Sequence, residues 1–341
     1  MSDLIDEFRE KIEYARIVHS NSFNPWYNLA LEEYLLNNTR KNEVILYLWQ
    51  NDNTVVIGRN QNAWKECNCR LLEENDGKLA RRLSGGGAVY HDLGNLNFTF
   101  VMDKNLYDIH TQLEVILKAV RDSNIDAKFS GRNDLVVDGR KFSGNAFYYG
   151  TNSSYHHGTI LVETDFENMV EYLQVSQEKI KSKGIESVKS RVVNLKKLNP
   201  AISIEQMKTE LEKYFKNLYQ VDPKTQTIAP HENEEIAKLQ EKYSSWSWRY
   251  GEAPDFDITY ENRFDWGDIQ LGLSLKKGKI EEAKIYSDAM NADLIENIAD
   301  NLSECQFKID EVTKAIENVD HVEKDQEVIN ELIGWLKEKR I

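Results

Sequence analysis

Residues 81–95 read Arg-Arg-Leu-Ser-Gly-Gly-Gly-Ala-Val-Tyr-His-Asp-Leu-Gly-Asn and concentrate the chemistry visible in this chain. Three consecutive glycines stand between a basic pair, Arg81 and Arg82, and a His91-Asp92 pair. Glycine tolerates positive φ and lets backbone N–H groups approach a ligand with no Cβ in the way. Successive N–H groups in such a turn make an anion-binding concavity, here flanked by two guanidinium groups. A tight hairpin between two strands is the plain structural alternative. A hairpin, however, rarely needs three glycines together with Arg, Ser, His and Asn. The stretch therefore points to recognition of an elongated ligand with an anionic group.

Three further segments carry candidate chemistry. Lys141 follows an Asp138-Gly139 turn and precedes Phe142-Ser143-Gly144-Asn145-Ala146, a strand of mostly small residues where Gly144 permits close approach. It is the leading catalytic candidate, against the bland reading of a solvated surface charge. Gly131-Arg132-Asn133-Asp134 is either a polar turn entering a strand or an acidic and amide cluster for a nucleotide or Mg²⁺, which favours carboxylate oxygens. His156-His157-Gly158-Thr159 precedes an apolar strand. Neighbouring strand positions face opposite sides, so one histidine at a pocket edge is expected rather than a metal-binding pair. Nothing matches a Walker A loop, a dinucleotide-binding glycine fingerprint or a Ser-His-Asp arrangement.

The elements that must position these residues can be sketched from pattern. Asn24-Pro25 is an N-cap followed by proline at the first helical position, opening a helix that places Trp26, Leu29, Ala30, Glu33 and Leu36 near one face. Strands are expected at 44–49 and 54–58, a helix at 64–74, and an amphipathic helix over 107–123. Residues 127–163 read as strands, with a hairpin at Asp138-Gly139. Ser203 and Gln206 form a capping box for a helix to Tyr219, and 217–233 reads as a loop. Past 246–254 the pattern predicts a meander around 258–260, 269–275 and 282–286, then helices at 292–303, 309–318 and 326–339. The expected organisation is a catalytic domain over 1–248, a linker at 249–256 and a small accessory domain over 257–341.

With 341 residues, two domains are expected, and a net charge of −14 argues against a general nucleic-acid binder. Cys67, Cys69 and Cys305 suit neither a disulfide framework nor a zinc site. Cys67 and Cys69 fall on the expected 64–74 helix, where positions two apart do not share a face. Free thiols in a reducing cytoplasm are the expectation. No apolar run reaches the roughly 18 residues of a membrane span, and the acidic N-terminus is unlike a signal or transit peptide.

Taken together and in order, these motifs resemble the lipoate–protein ligase A family of the biotin/lipoate ligase superfamily over roughly residues 17–341. The resemblance is carried by Asn24 to Ala30, Thr54 to Arg59, Arg81 to Asn95, Gly131 to Val137, Lys141-x-Ser143-Gly144-x-Ala146 and His157-Gly158-Thr159. Ser187 to Val192 and Ser244-Ser245-Trp246-x-Trp248 add to it. It implies an α+β fold, with a large mixed-sheet catalytic domain and a small α+β C-terminal domain. It implies a two-step reaction in which lipoate and ATP, with Mg²⁺, give lipoyl-AMP and pyrophosphate. The lipoyl group then passes to a lysine of apo lipoyl domains, on 2-oxoacid dehydrogenase E2 subunits or the glycine cleavage H protein.

Carried over on matching positions, Lys141 is the catalytic residue and bridges both substrates. Arg82, Gly87, Ala88, Val89, Tyr90, Asn95, Asn133, Asp134, Lys189, Ser190 and Arg191 are implied ATP or adenylate contacts, with Asp134 an outer partner of Mg²⁺. Arg82, Ser84, Gly85, Gly86, His91, Lys141 and His157 are implied lipoate contacts. The basic stretch 177–197 matches the family's adenylate-binding loop. A cytoplasmic monomer without nucleic-acid or membrane partners is expected. Rival readings are an acyl transferase of the same fold acting without ATP, through a cysteine nucleophile, and a non-catalytic lipoate- or carrier-binding protein.

Overall fold

The computed structural model describes the chain except residues 1–10, 132, 174–190, 231–232, 251–255, 277 and 340–341. It divides into two units. The first comprises Met1–Val56, Trp64–Arg81 and Ala88–Arg249, and the second Ile57–Ala63, Arg82–Gly87 and Tyr250–Ile341. Among the described residues, no helix is long and apolar enough to cross a membrane.

The strands are β1 (Tyr14–Ser20), β2 (Glu43–Trp49), β3 (Thr54–Ile57), β4 (Lys78–Arg81), β5 (Val89–His91), β6 (Asn95–Asp103), β7 (Lys128–Ser130), β8 (Asp134–Val137), β9 (Arg140–Tyr149), β10 (Ser153–Leu161) and β11 (Lys224–Ile228). Eight of them form a mixed sheet in the order β11-β1-β2-β6-β10-β9-β8-β7, and β4-β3-β5 form a small second sheet. In the large sheet β1 is parallel to both β2 and β11, and the remaining pairings are antiparallel. β11 lies inside the stretch 217–233 expected to be loop. Its sequence, Lys-Thr-Gln-Thr-Ile, lacks an apolar run because it is an edge strand with largely exposed side chains.

The two faces of this sheet are chemically different. Leu96, Phe98, Phe100 and Met102 of β6, with Leu46 and Leu48 of β2, join a core sealed by α2 (Ile109–Arg121) and α3 (Ile204–Tyr219). The intervening residues of β6 are Asn95, Asn97, Thr99, Val101 and Asp103, all buried on the other face and mostly polar. That face is met by α1 (Pro25–Asn37), whose Glu32 and Asn28 reach Thr99 and Tyr47. α1 starts as the sequence implies, with Asn24 Oδ1 accepting from Trp26 N. Its burial is not one-sided as expected. α4 (Glu234–Ser244) packs on its outer side, so Leu29, Leu31, Glu32 and Leu35 are all buried, while Glu33 pairs with Lys242 at 2.8 Å.

The helix expected at 64–74 is broken into Ala63–Glu66 and Cys69–Glu74, with Cys67 bridging to Leu173 between them. The break brings the two thiols together. Their hydrogen bond and burial push the Cys67 thiol up, which keeps it unreactive. In the second unit β12 (Ile258–Phe264), β13 (Gly267–Lys276) and β14 (Lys279–Ser287) form the expected antiparallel meander. Helices α5 (Ala292–Leu302), α6 (Ile309–Glu317) and α7 (Gln326–Lys337) bury Ile298, Leu302, Val312 and Leu332 against its Leu271, Leu273 and Ile285.

Candidate active site

Sheet register places the polar residues of the first unit in two adjacent rows. One row crosses five strands: Trp49 is opposite Asn97, Asn97 opposite Thr159, and, beyond Thr159, Gly144 opposite Asp134. Gly144 N donates to Thr159 Oγ1, which closes the row. The next row runs Tyr47, Thr99, His157, Ala146. Directly opposed residues share a face, so both rows lie on the face met by α1.

Lys141 reaches this face through an irregularity. Ser143 pairs with Leu135 and Lys141 with Val136, consecutive residues on β8, so Phe142 is an extra residue with no partner. Such a bulge turns the strand over locally and re-aims its side chains. Phe142 drops into the core at 0% exposure. Lys141 is turned to the polar face, where its Nζ lies over Gly144, at 2.8 Å from where a Cβ would stand. There it pairs with Asp134 at 2.8 Å, both side chains about one-third exposed. The Lys141 backbone is held by Arg191 O (2.7 Å) and Val193 N (2.9 Å).

A chain of amides fixes the neighbouring turn. Asn145 Nδ2 donates to Asn133 O at 2.8 Å and Asn133 Nδ2 donates to Asn145 O at 2.6 Å. Asn145 Oδ1 is left to accept from Nε2 of the buried His156 at 2.8 Å. Burial, with His157 adjacent, pushes the His156 pKa well down, so the ring is neutral. The other ring nitrogen, Nδ1, lies 3.0 Å from Gln112 Oε1. His157, on the other face, gives Nδ1–H to Glu32 Oε1 at 2.9 Å. Glu32 also accepts from Thr99 Oγ1 at 2.7 Å, and Thr99 accepts from Trp49 Nε1.

Among the described residues, the side-chain amides of Asn95 and Asn97 each keep one atom on this face without a protein partner. Asn95 Nδ2 donates to Asn97 Oδ1, which leaves Asn95 Oδ1 and Asn97 Nδ2 buried and unsatisfied. An acceptor and a donor left side by side in this way leave places for hydrogen bonds to a ligand edge or to ordered water. His91 stands near them, bonded through Nδ1 to Asn51 (3.1 Å) and edge-on to Trp49. Val89, Tyr90 and His91 form β5 against β3, with Ala88 just before them.

The glycine loop belongs to the second unit and is organised by its own residues. Arg82 Nε bonds Ser84 Oγ, and its Nη2 donates to the Gly85 and Gly87 carbonyls at 2.7 and 2.8 Å. Gly86 N donates to Ala289 O, so this N–H of the expected anion concavity is taken by protein. Gly85 is glycine for a related reason: a Cβ there would stand 2.1 Å from Ala289 O and 2.6 Å from Met290 O. Gly85→Ala should therefore lower the stability of the second unit by about 1–3 kcal/mol, since backbone cannot yield as a side chain does. Amide hydrogen exchange across β14 and the 82–87 loop would measure this; unchanged protection there would refute it.

Lys189 and Ser190 lie outside the described residues. The residues that sequence reasoning missed are Glu32, Asn97 and Thr99. Asn97 and Thr99 did leave a signal, two polar residues alternating with Phe98 and Phe100. Glu32 left none, because nothing distinguishes it from Glu33 in sequence. Among the described residues no group of three or more His, Cys, Asp or Glu could hold a metal.

The geometry can be set beside known proteins. The family model for the lipoyl protein ligase A/B catalytic domain matches residues 24–216, and that for the bacterial lipoate protein ligase C-terminus matches 253–336. The chain belongs to the lipoyl protein ligase family. Lipoate-protein ligase A of Blochmanniella floridana is 41% identical over 294 residues, covering 84% of this chain and 87% of that protein. The crystal structure of P. falciparum LipL1 in complex with lipoate superposes with a TM-score of 0.85 at 30% identity, covering 95% of this chain and all of that one. A crystal structure of lipoate-protein ligase A bound with ATP gives a TM-score of 0.60 at 27% identity, over 70% and 99% of the two chains. The ligase therefore has the large mixed sheet and small C-terminal sheet-and-helix domain expected from its motifs.

Proposed function

We propose that this ligase uses ATP to convert lipoate to lipoyl-AMP and pyrophosphate, then transfers the lipoyl group to a lysine of apo lipoyl domains. The observation that carries this reading is the Phe142 bulge, which turns the Lys141 ammonium onto a face lined with Asp134, Thr159 and His157. Bringing a carboxylate to an α-phosphate sets two like charges about 4 Å apart, a repulsion of roughly 4 kcal/mol at an effective dielectric near 20. A cation between them offsets that repulsion and stabilises charge developing in the transfer. The orphaned Asn95 and Asn97 atoms supply an acceptor and a donor suited to a nucleotide base edge. Similarity to a ligase bound with ATP and to one in complex with lipoate supports the same pair of substrates.

Arg82 and the Gly87–Tyr90 backbone are proposed nucleotide contacts, with Ser84, Gly85, Gly86 and His91 on the lipoyl side. Asp134 pairs with Lys141 and is proposed as an outer partner of Mg²⁺, which binds through one or two carboxylates and substrate phosphates. Mg²⁺ belongs to this reading as the counter-ion that arrives with ATP. Carriers are proposed to be E2 lipoyl domains and H protein, met in the cytoplasm by a monomer.

Incubating the purified chain with lipoate, MgATP and an apo lipoyl domain should add one lipoyl group per domain by intact mass. Addition that proceeds without ATP from an acylated carrier would favour the transferase reading instead. Against that reading, the Cys67 and Cys69 thiols are buried and bonded to each other, and Cys305 lies in the second unit. The match to a ligase C-terminus at 253–336 also favours the ATP-dependent reaction.

A further inference from the structure

We propose that Cys67 and Cys69 are a reversible modification site, a thiol pair that a peroxide-class oxidant closes to an intrachain disulfide. Neither residue takes part in the ligase chemistry assigned above.

The turn between the two cysteines sets the geometry. Asn68 has φ −75° and ψ 71°, the torsions of an inverse γ-turn. Such a turn bends the chain by nearly a right angle, so two Cα–Cα steps of about 3.8 Å leave the flanking Cα atoms about 5.4 Å apart. A disulfide needs roughly 4.4–6.8 Å between its Cα atoms. An unbroken helix over 64–74 would have turned the two side chains to different faces, whereas the break puts the sulfurs in hydrogen-bond contact. The turn is also held from outside. Asn68 N donates to Tyr172 O at 2.8 Å, and Cys67 bridges Leu173. Tyr172 ends the helix Phe166–Tyr172 and packs on Tyr90, 5.6 Å away between ring centres.

The two thiols are unequal. The hydrogen bond from Cys67 does most to hold the Cys69 thiol below its ordinary value, against burial and Glu73 and with help from Arg249. The same bond, together with burial, pushes Cys67 up. Cys69 is therefore the attacking sulfur and Cys67 the resolving one. Cys67 is 1% exposed and Cys69 4%, which admits a two-oxygen oxidant on small local openings and shuts out an acylated carrier.

The chemistry balances with peroxide as the oxidant. The Cys69 thiolate attacks one peroxide oxygen, the O–O bond breaks, and hydroxide leaves, giving a sulfenic acid. The Cys67 sulfur then bonds to Cys69 as the S–O bond breaks, and the Cys67 proton leaves with that oxygen as water. The proton first lost by Cys69 neutralises the hydroxide. Two thiols and one peroxide thus become one disulfide and two waters. A bond across so short a loop restricts the unfolded chain little, which suits a reversible modification and not a stabilising staple.

The native chain would be treated with a slight excess of hydrogen peroxide, quenched, unfolded in N-ethylmaleimide, digested and weighed. The Cys67–Cys69 peptide should lose two hydrogens and take no maleimide, while Cys305 takes one; dithiothreitol should restore labelling at all three. In Cys67→Ser, dimedone should trap a sulfenic acid at Cys69. In Cys69→Ser, Cys67 should stay largely unlabelled. Amide exchange at Asn68 should slow in the oxidised chain, because a bond across the turn makes its local opening rarer. A bond to Cys305, a sulfinic acid at native Cys69, or full maleimide labelling after peroxide would overturn the site. Equal dimedone labelling of the two variants would overturn the roles of the two sulfurs, and unchanged or faster exchange at Asn68 would overturn a bond that fits the native turn. All of these readouts are taken without ATP or lipoate, so they stand or fall separately from the ligase reading.

Discussion

Lys141→Ala should lower ATP-dependent pyrophosphate release by about 10²–10³-fold, the loss seen when one preorganised charge-stabilising donor is removed. The fold should survive. The Lys141–Asp134 pair is partly exposed, and such pairs contribute about 0–1 kcal/mol to stability. Lys141→Met keeps the stem over Gly144 and removes only the charge, so it should behave like alanine if charge is what matters. Lys141→Arg tests placement, since a guanidinium is broader than an ammonium and Gly144 leaves little clearance. Rates within tenfold of native for both the alanine and methionine variants would remove Lys141 from the chemistry.

The second large effect concerns the residue that aims Lys141. Phe142 is fully buried in the core with Leu135 and Val137. Phe142→Ala should cost about 3–5 kcal/mol, the range for truncating a buried aromatic, and lower the melting temperature by roughly 10 °C. Adenylation should fall further than the folded fraction explains, because an unanchored bulge no longer holds Lys141 to the polar face. Phe142→Leu keeps most of the volume and should lose much less of both. If Phe142→Ala melts early yet adenylates normally at low temperature, the bulge does not depend on its buried anchor.

β9 also shows what a sequence can and cannot disclose. Read as a straight strand, 141–146 assigns Phe142, Gly144 and Ala146 to one face and Lys141, Ser143 and Asn145 to the other. The bulge exchanges partners, putting Phe142 in the core with Asn145, and Lys141 with Gly144 and Ala146. A one-residue irregularity leaves no periodic trace, so Lys141 was visible as a candidate while the reason for its orientation was not. Capped and amphipathic helices were legible because their signals are local: Asn24-Pro25, Ser203 with Gln206, and the tail helices. β11 and the break at Cys67 were not, since an exposed edge strand and a bridge to Leu173 depend on partners far away in the chain. The glycines stood out in the sequence as an anion-binding turn, and Gly85 makes room for the Ala289 and Met290 carbonyls.

The parallel pairing of β1 with β11 has a consequence for synthesis on the ribosome. β1 can pair with β2 as soon as residue 49 has emerged, but its other edge waits for Ile228. At about 5–20 residues per second, an open strand edge is exposed for roughly 10–40 s, a period when it can recruit a foreign strand. The second unit closes later still. Its 57–63 and 82–87 segments are made early, while Ala289, Ala292 and Asp293, which they bond, come near the end. A nascent chain therefore carries a finished sheet face while its glycine loop still rests only on residues 57–59 and lacks Ala289, and catalytic competence should be among the last properties acquired.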